Sequence, residues 1–121
     1  MKETIINELK RLKFEELLWI IFIIICILNI YGDKLEEKYI ITNQQKYTNK
    51  SNKIFKITLI AVLLIYTYFF IRNYNAYKNS SLNDKKLYKK KLLGSSFLIV
   101  GILLLIYFQF KQKSFIGSPA L

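Results

Sequence analysis

The sequence predicts an all-α integral membrane protein with three transmembrane helices and a short amphipathic helix at the N-terminus. Three observations carry this. Hydrophobic residues make up 53% of the 121-residue chain and gather in three blocks. The charged residues gather between the blocks. No block has the polar stripe that a helix or strand of a water-soluble domain needs. The length is enough for one domain, 1–121.

The N-terminal segment places Ile5, Leu9 and Leu12 on one helical stripe, with Lys2, Glu3, Glu8, Lys10 and Arg11 mostly away from it. That pattern suits a helix lying on the membrane surface, or a solvated lead-in to the next helix. With Glu3 and Glu8 in it, and no small-residue cleavage site after the apolar run, it does not read as a cleavable signal.

The first block is 17–31. Glu15 and Glu16 precede it and are expected to stay at the interface, because a carboxylate at the bilayer centre costs several kcal/mol. The block is short, about 22 Å of helix against a hydrocarbon core of about 30 Å. Trp19 and Tyr31 near its ends match the interfacial aromatic belt, so it is read as a span. Gly32-Asp33 is expected to end the helix and to open a polar connection, 32–53, in which Leu35, Tyr39 and Ile40-Ile41 suit a short interfacial helix.

The second block, 54–71, has one charge, Lys56, near enough to its start for the ammonium to snorkel back to the headgroups. The second connection, 72–91, begins turn-prone and ends in a lysine run. Asn83 is the expected N-cap of the next helix. The third block, 92–110, carries no charge. A short tail from Ser114 to Leu121 follows it.

Lys and Arg total 19 against 8 Asp and Glu, a formal net charge of +11. Because the lysines flank the apolar blocks, anionic lipid headgroups are the expected partner. Lys85, Lys86, Lys89, Lys90 and Lys91 are the candidate contacts. No separate basic domain exists to bind nucleic acid. With the N-terminus cytoplasmic, eleven Lys and Arg fall inside and eight outside, which favours N-in, C-out. The abundance of Lys, Ile, Asn, Tyr and Phe suggests an AT-rich genome and hence a bacterial cell membrane.

Chemistry is scarce. There is no histidine and one cysteine, Cys26, inside an isoleucine run. No carboxylate lies inside a predicted span, which disfavours a transporter or pump. No phosphate loop, nucleophile–base pair or metal motif is readable, so neither catalysis, a cofactor nor a small-molecule substrate is expected. The clearest contact signal is Gly94, Leu98, Gly101 and Leu105 on one face of the third block, where two glycines let another helix approach. Thr58 and Ala61 on the second block offer a matching small patch. Asn29 and Gln109, both near the outer face in this topology, could pair. The leading expectation is a non-catalytic protein that packs against a membrane partner, another protein or itself. It would be an accessory or regulatory subunit, or a protector against a membrane-active toxin. The alternatives are a holin-like pore former and a small oligomeric transporter.

Overall fold

A computed structural model describes residues 2–119. The last two positions of the C-terminal tail, Ala120 and Leu121, lie outside the described residues. Three helices follow in order: α1 (Lys2–Thr42), α2 (Gln45–Lys78) and α3 (Lys85–Lys111). Among the described residues there is no strand. Each helix is long and apolar enough to cross a membrane, which marks the chain as a multi-pass membrane protein. At 1.5 Å per residue they measure about 61, 51 and 40 Å. All three therefore extend beyond a hydrocarbon core of about 30 Å.

Within that core the helical state is imposed. Lipid offers no partner for a free amide, so the backbone must bond to itself. Outside it, the chain is helical for other reasons. The N-terminal stripe forms no separate amphipathic helix: residues 2–42 are one continuous helix. Nor does Gly32-Asp33 end it. α1 runs on for nearly three more turns to Thr42. It stops at Asn43, whose φ of 56° is left-handed, with the Asn43 amide donating to Tyr39 O at 2.7 Å. Asparagine tolerates that conformation better than any residue but glycine. Gln44 is extended, and α2 begins immediately. The expected first connection is thus a helical hairpin with a two-residue turn.

α2 ends at Asn79, whose amide returns to Asn75 O at 3.0 Å. The N-cap of α3 is Asp84, one residue past the expected Asn83, and Ser81 Oγ donates to its carboxylate at 3.2 Å. Beyond α3, Gln112 turns the chain. The tail comes back over the hairpin end, where the Ser118 amide donates to Asp33 Oδ1 at 2.9 Å.

α2 is the middle helix. α1 packs on one side of it and α3 on the other, and no Cα of α1 comes within 8 Å of one in α3. Leu18, Ile25, Leu59, Val62, Ile65 and Ile102 form the core between them. Most large apolar side chains point outward: Phe97 is 70% and Leu104 66% exposed. Water would penalise that surface, whereas lipid solvates it.

The α1–α2 interface repeats every seven residues. On α1 it uses Glu15, Leu18, Phe22, Ile25, Asn29, Gly32 and Glu36; on α2 it uses Ser51, Phe55, Thr58, Val62, Ile65, Phe69 and Arg72. The alternating steps of three and four are those of a left-handed coiled coil. Facing partners hold one antiparallel register: Glu15 meets Arg72, Asn29 meets Thr58, Gly32 meets Phe55 and Glu36 meets Ser51. The residue numbers in each pair add to the same total.

Candidate functional site: a polar seam, an open furrow and a lysine face

The seam carries polar residues at both ends and once between. At one end Arg72 Nη1 donates to Glu15 Oε1 at 3.0 Å. Arg11 lies 3.7 Å from the other oxygen, which also accepts from Tyr68 OH at 3.1 Å. Arg72 stacks over Phe69 and donates twice to Asn73 Oδ1, at 3.2 and 2.9 Å. Asn73 in turn donates to Ser95 Oγ on α3. One connected cluster thus ties all three helices. Glu15 is nevertheless shielded by protein: it is 6% exposed. Burial is tolerable because a guanidinium and two further donors replace water around the carboxylate.

Midway, Thr58 Oγ1 donates to Asn29 Oδ1 at 2.9 Å. The suggested Asn29–Gln109 pair does not form, because α1 and α3 flank opposite sides of α2. Gln109 instead donates to Asn52 Oδ1, which also accepts from Gln112 at 3.2 Å. Thr58 faces α1 as well, so it offers α3 no small patch. At the far end of the seam Glu36 Oε1 accepts from Thr48 Oγ1 at 2.8 Å and from Ser51 Oγ. Glu15 and Glu36 are three heptads apart, about 32 Å along the helix, which matches the thickness of the hydrocarbon core. The short first block is therefore flanked by two buried carboxylates: Glu15 is ion-paired with Arg72, while Glu36 accepts two hydroxyls through Oε1 and its Oε2 is buried without a partner.

Because α1 and α3 do not meet, a furrow lies open over α2. It holds a cavity of about 240 Å³ lined by Trp19, Tyr66, Phe69, Arg72, Asn73, Ser95 and Leu98. The four residues of the α3 stripe divide. A Cβ added at Gly94 or Gly101 would meet nothing within 4 Å. Leu98 is 53% exposed and lines the furrow, while Leu105 turns inward against the core. The glycines thus have no helix of this chain against them.

The five lysines form the opening turns of α3. Lys85 sits over the Tyr77 ring at 5.4 Å, and Lys89 lines a hollow of about 210 Å³ with Tyr77, Leu92, Leu93 and Ser96. Lys86, Lys90 and Lys91 are exposed. Among the described residues none of the five reaches a carboxylate within 4.0 Å. Cations in a first helical turn oppose the helix dipole, at about 0.3–1 kcal/mol each. Helix stability therefore does not account for lysine at Lys85 and Lys86, and an external anion would offset the cost.

Reading the sequence block by block missed the polar seam. The signal was present as spacing. Glu15, Asn29 and Glu36 are two heptads and then one apart; Ser51, Thr58 and Arg72 repeat those intervals in reverse. What the assembled geometry does chemically is hydrogen bonding and ion pairing between helices. Compared with known protein families, curated proteins and solved structures, the chain matches none.

Proposed function

We propose that this is a non-catalytic multi-pass membrane protein that acts by packing its helices against a membrane partner. It would serve as an accessory or regulatory subunit or as protection against a membrane-active toxin. The observation that carries this is the unfilled face of α3: Gly94 and Gly101 are open where a second helix would approach closely. Lysine-rich turns at the start of α3 would hold that face at the membrane surface through anionic headgroups, with the N-terminus in the cytoplasm of a bacterial cell.

Cysteine cross-linking in native membranes tests the reading. With Cys26→Ser removing the resident thiol, Gly101→Cys should give one discrete heavier adduct under mild oxidation. Ile23→Cys, on lipid-facing α1, should give none. The reverse pattern would defeat the proposal. Abrupt collapse of membrane potential on expression would favour a pore-forming protein instead.

A further inference from the structure

Past the end of the first apolar block, the α1–α2 hairpin holds a second cavity. It measures about 360 Å³ and is lined by Tyr31, Leu35, Lys38, Lys46, Tyr47 and Lys50. One lysine comes from α1; the other two come from α2, one turn apart. None of the three reaches a carboxylate within 4.0 Å among the described residues. The hairpin's acidic groups lie outside the cavity lining, and Glu36 is buried with only its Oε1 hydrogen-bonded. Glu37 pairs with Lys34 at 3.2 Å, Glu36 faces Thr48 and Ser51 in the seam, and Asp33 holds Ser118.

Tyrosine rings position the ammoniums. Lys38 and Lys46 lie 5.7 and 5.1 Å from the centroid of Tyr47, and Lys50 lies 5.5 Å from that of Tyr31. Lys50 Nζ also donates to Tyr31 OH at 3.2 Å, which leaves the phenol's own proton free to donate. Three like charges converging on one hollow repel each other until an anion fills it. Leu35 gives the hollow an apolar floor. Ile27 and Leu28, one turn before Tyr31, are exposed to lipid.

We propose that this cavity binds the phosphate of an acidic phospholipid, with an acyl chain lying along Ile27 and Leu28. The cavity size lies within the ordinary range for small-ligand sites. A zwitterionic headgroup fits poorly, because its own ammonium would meet three lysines and no carboxylate among the lining residues. A free phosphate has the right charge but nothing to place against the exposed apolar turn below Tyr31. The proposal rests on the membrane-spanning reading, which alkaline carbonate extraction tests separately.

The experiment titrates full-length protein in neutral phosphocholine micelles with short-chain phosphatidylglycerol, following backbone amide shifts. Tyr31, Tyr47 and Lys50 should move saturably. Lys38→Gln, Lys46→Gln and Lys50→Gln together should weaken the apparent Kd about a hundredfold, at about fivefold per lysine. Arginine at the same three positions should keep binding, which separates loss of charge from loss of fold. Lys86→Gln, Lys89→Gln and Lys90→Gln together remove the same charge and should leave these shifts in place. Equal weakening by both glutamine triples would overturn the site, as would absence of saturation. Inorganic phosphate saturating the same residues as tightly as the lipid would overturn the lipid as ligand.

Discussion

Gly32→Ala tests the seam most directly. A Cβ built at Gly32 would stand 2.7 Å from Phe55 Cζ and 3.2 Å from Cδ1, with Cε1 closer still. Carbon atoms rest about 3.5–4.0 Å apart, so the ring must retreat by about 1 Å. Phe55 is 1% exposed, and the seam residues Ser51 and Thr58 on its own helix are buried on either side. A ring buried to that degree cannot swing out into solvent or lipid. Either its rotamer strains or the helices part, at about 1–3 kcal/mol. Alanine's better helix propensity returns about 1 kcal/mol, which leaves a net loss of up to about 2 kcal/mol. Gly94→Ala and Gly101→Ala meet nothing within 4 Å. They should keep the propensity gain and come out stabilised by about 0.5–1 kcal/mol. Unfolding in mixed micelles with rising dodecyl sulfate, read by fluorescence of Trp19 against Phe69, measures all three. Phe55→Leu in the Gly32→Ala background should recover part of the loss. Gly32→Ala as stable as the parent, with Gly94→Ala as the damaging change, would refute the close α1–α2 approach.

Further outcomes follow from the other contacts. Glu15→Gln leaves Arg72, whose side chain is 24% exposed, with Asn73 but no carboxylate, and should cost about 2–3 kcal/mol. The double variant with Arg72→Gln should be less damaged than the two single losses combined, with a coupling of about 1–2 kcal/mol in the same micelle assay; additive losses would mean the pair does not interact. In the proposed N-in orientation, glutamine at Lys85, Lys86, Lys89, Lys90 and Lys91 lowers the inside count from eleven to six against eight outside. A reporter near Asn79 that works only outside the cytoplasm should then become active in some molecules, and a single unchanged topology would detach orientation from these lysines. Alkaline carbonate should leave the protein in the membrane pellet, and release into the supernatant would contradict three spanning helices.

The three helices were legible because long apolar blocks in lipid have one backbone solution. The ends of α1 were not. Gly32-Asp33 carries an ordinary helix-stop signal, yet the glycine serves Phe55 instead, and propensity yields to packing. The seam was hidden for a related reason. Within an isoleucine-rich block nearly every position is apolar, so hydrophobic periodicity has little contrast. Only the rare polar residues report the period, and only when both helices are compared. Asn29 and Gln109 looked like partners because both lie near one membrane face; that inference contains depth but not neighbourhood. Once α2 is known to lie between α1 and α3, each finds its partner on α2.

Register errors in the α1–α2 hairpin are not all alike. Slide α1 by one heptad and some marks still agree: Asn29 comes opposite Ser51 in one direction, and Glu36 comes opposite Thr58 in the other. Those hydroxyl–carbonyl matches are interchangeable. Two marks are not. Glu15 would face Ile65 in one slipped state and Asn79, beyond the end of α2, in the other. Phe55 would lose its glycine and face Ile25 or Tyr39. The hairpin is therefore keyed at two points, one by charge near the N-terminal rim and one by volume near the turn. The two keys lie far enough apart that a locally comfortable but slipped pairing fails at both. A chain of nearly featureless apolar helices acquires in this way a single alignment, and Thr58, the hydroxyl between the keys, is free to vary among small polar residues without loosening it.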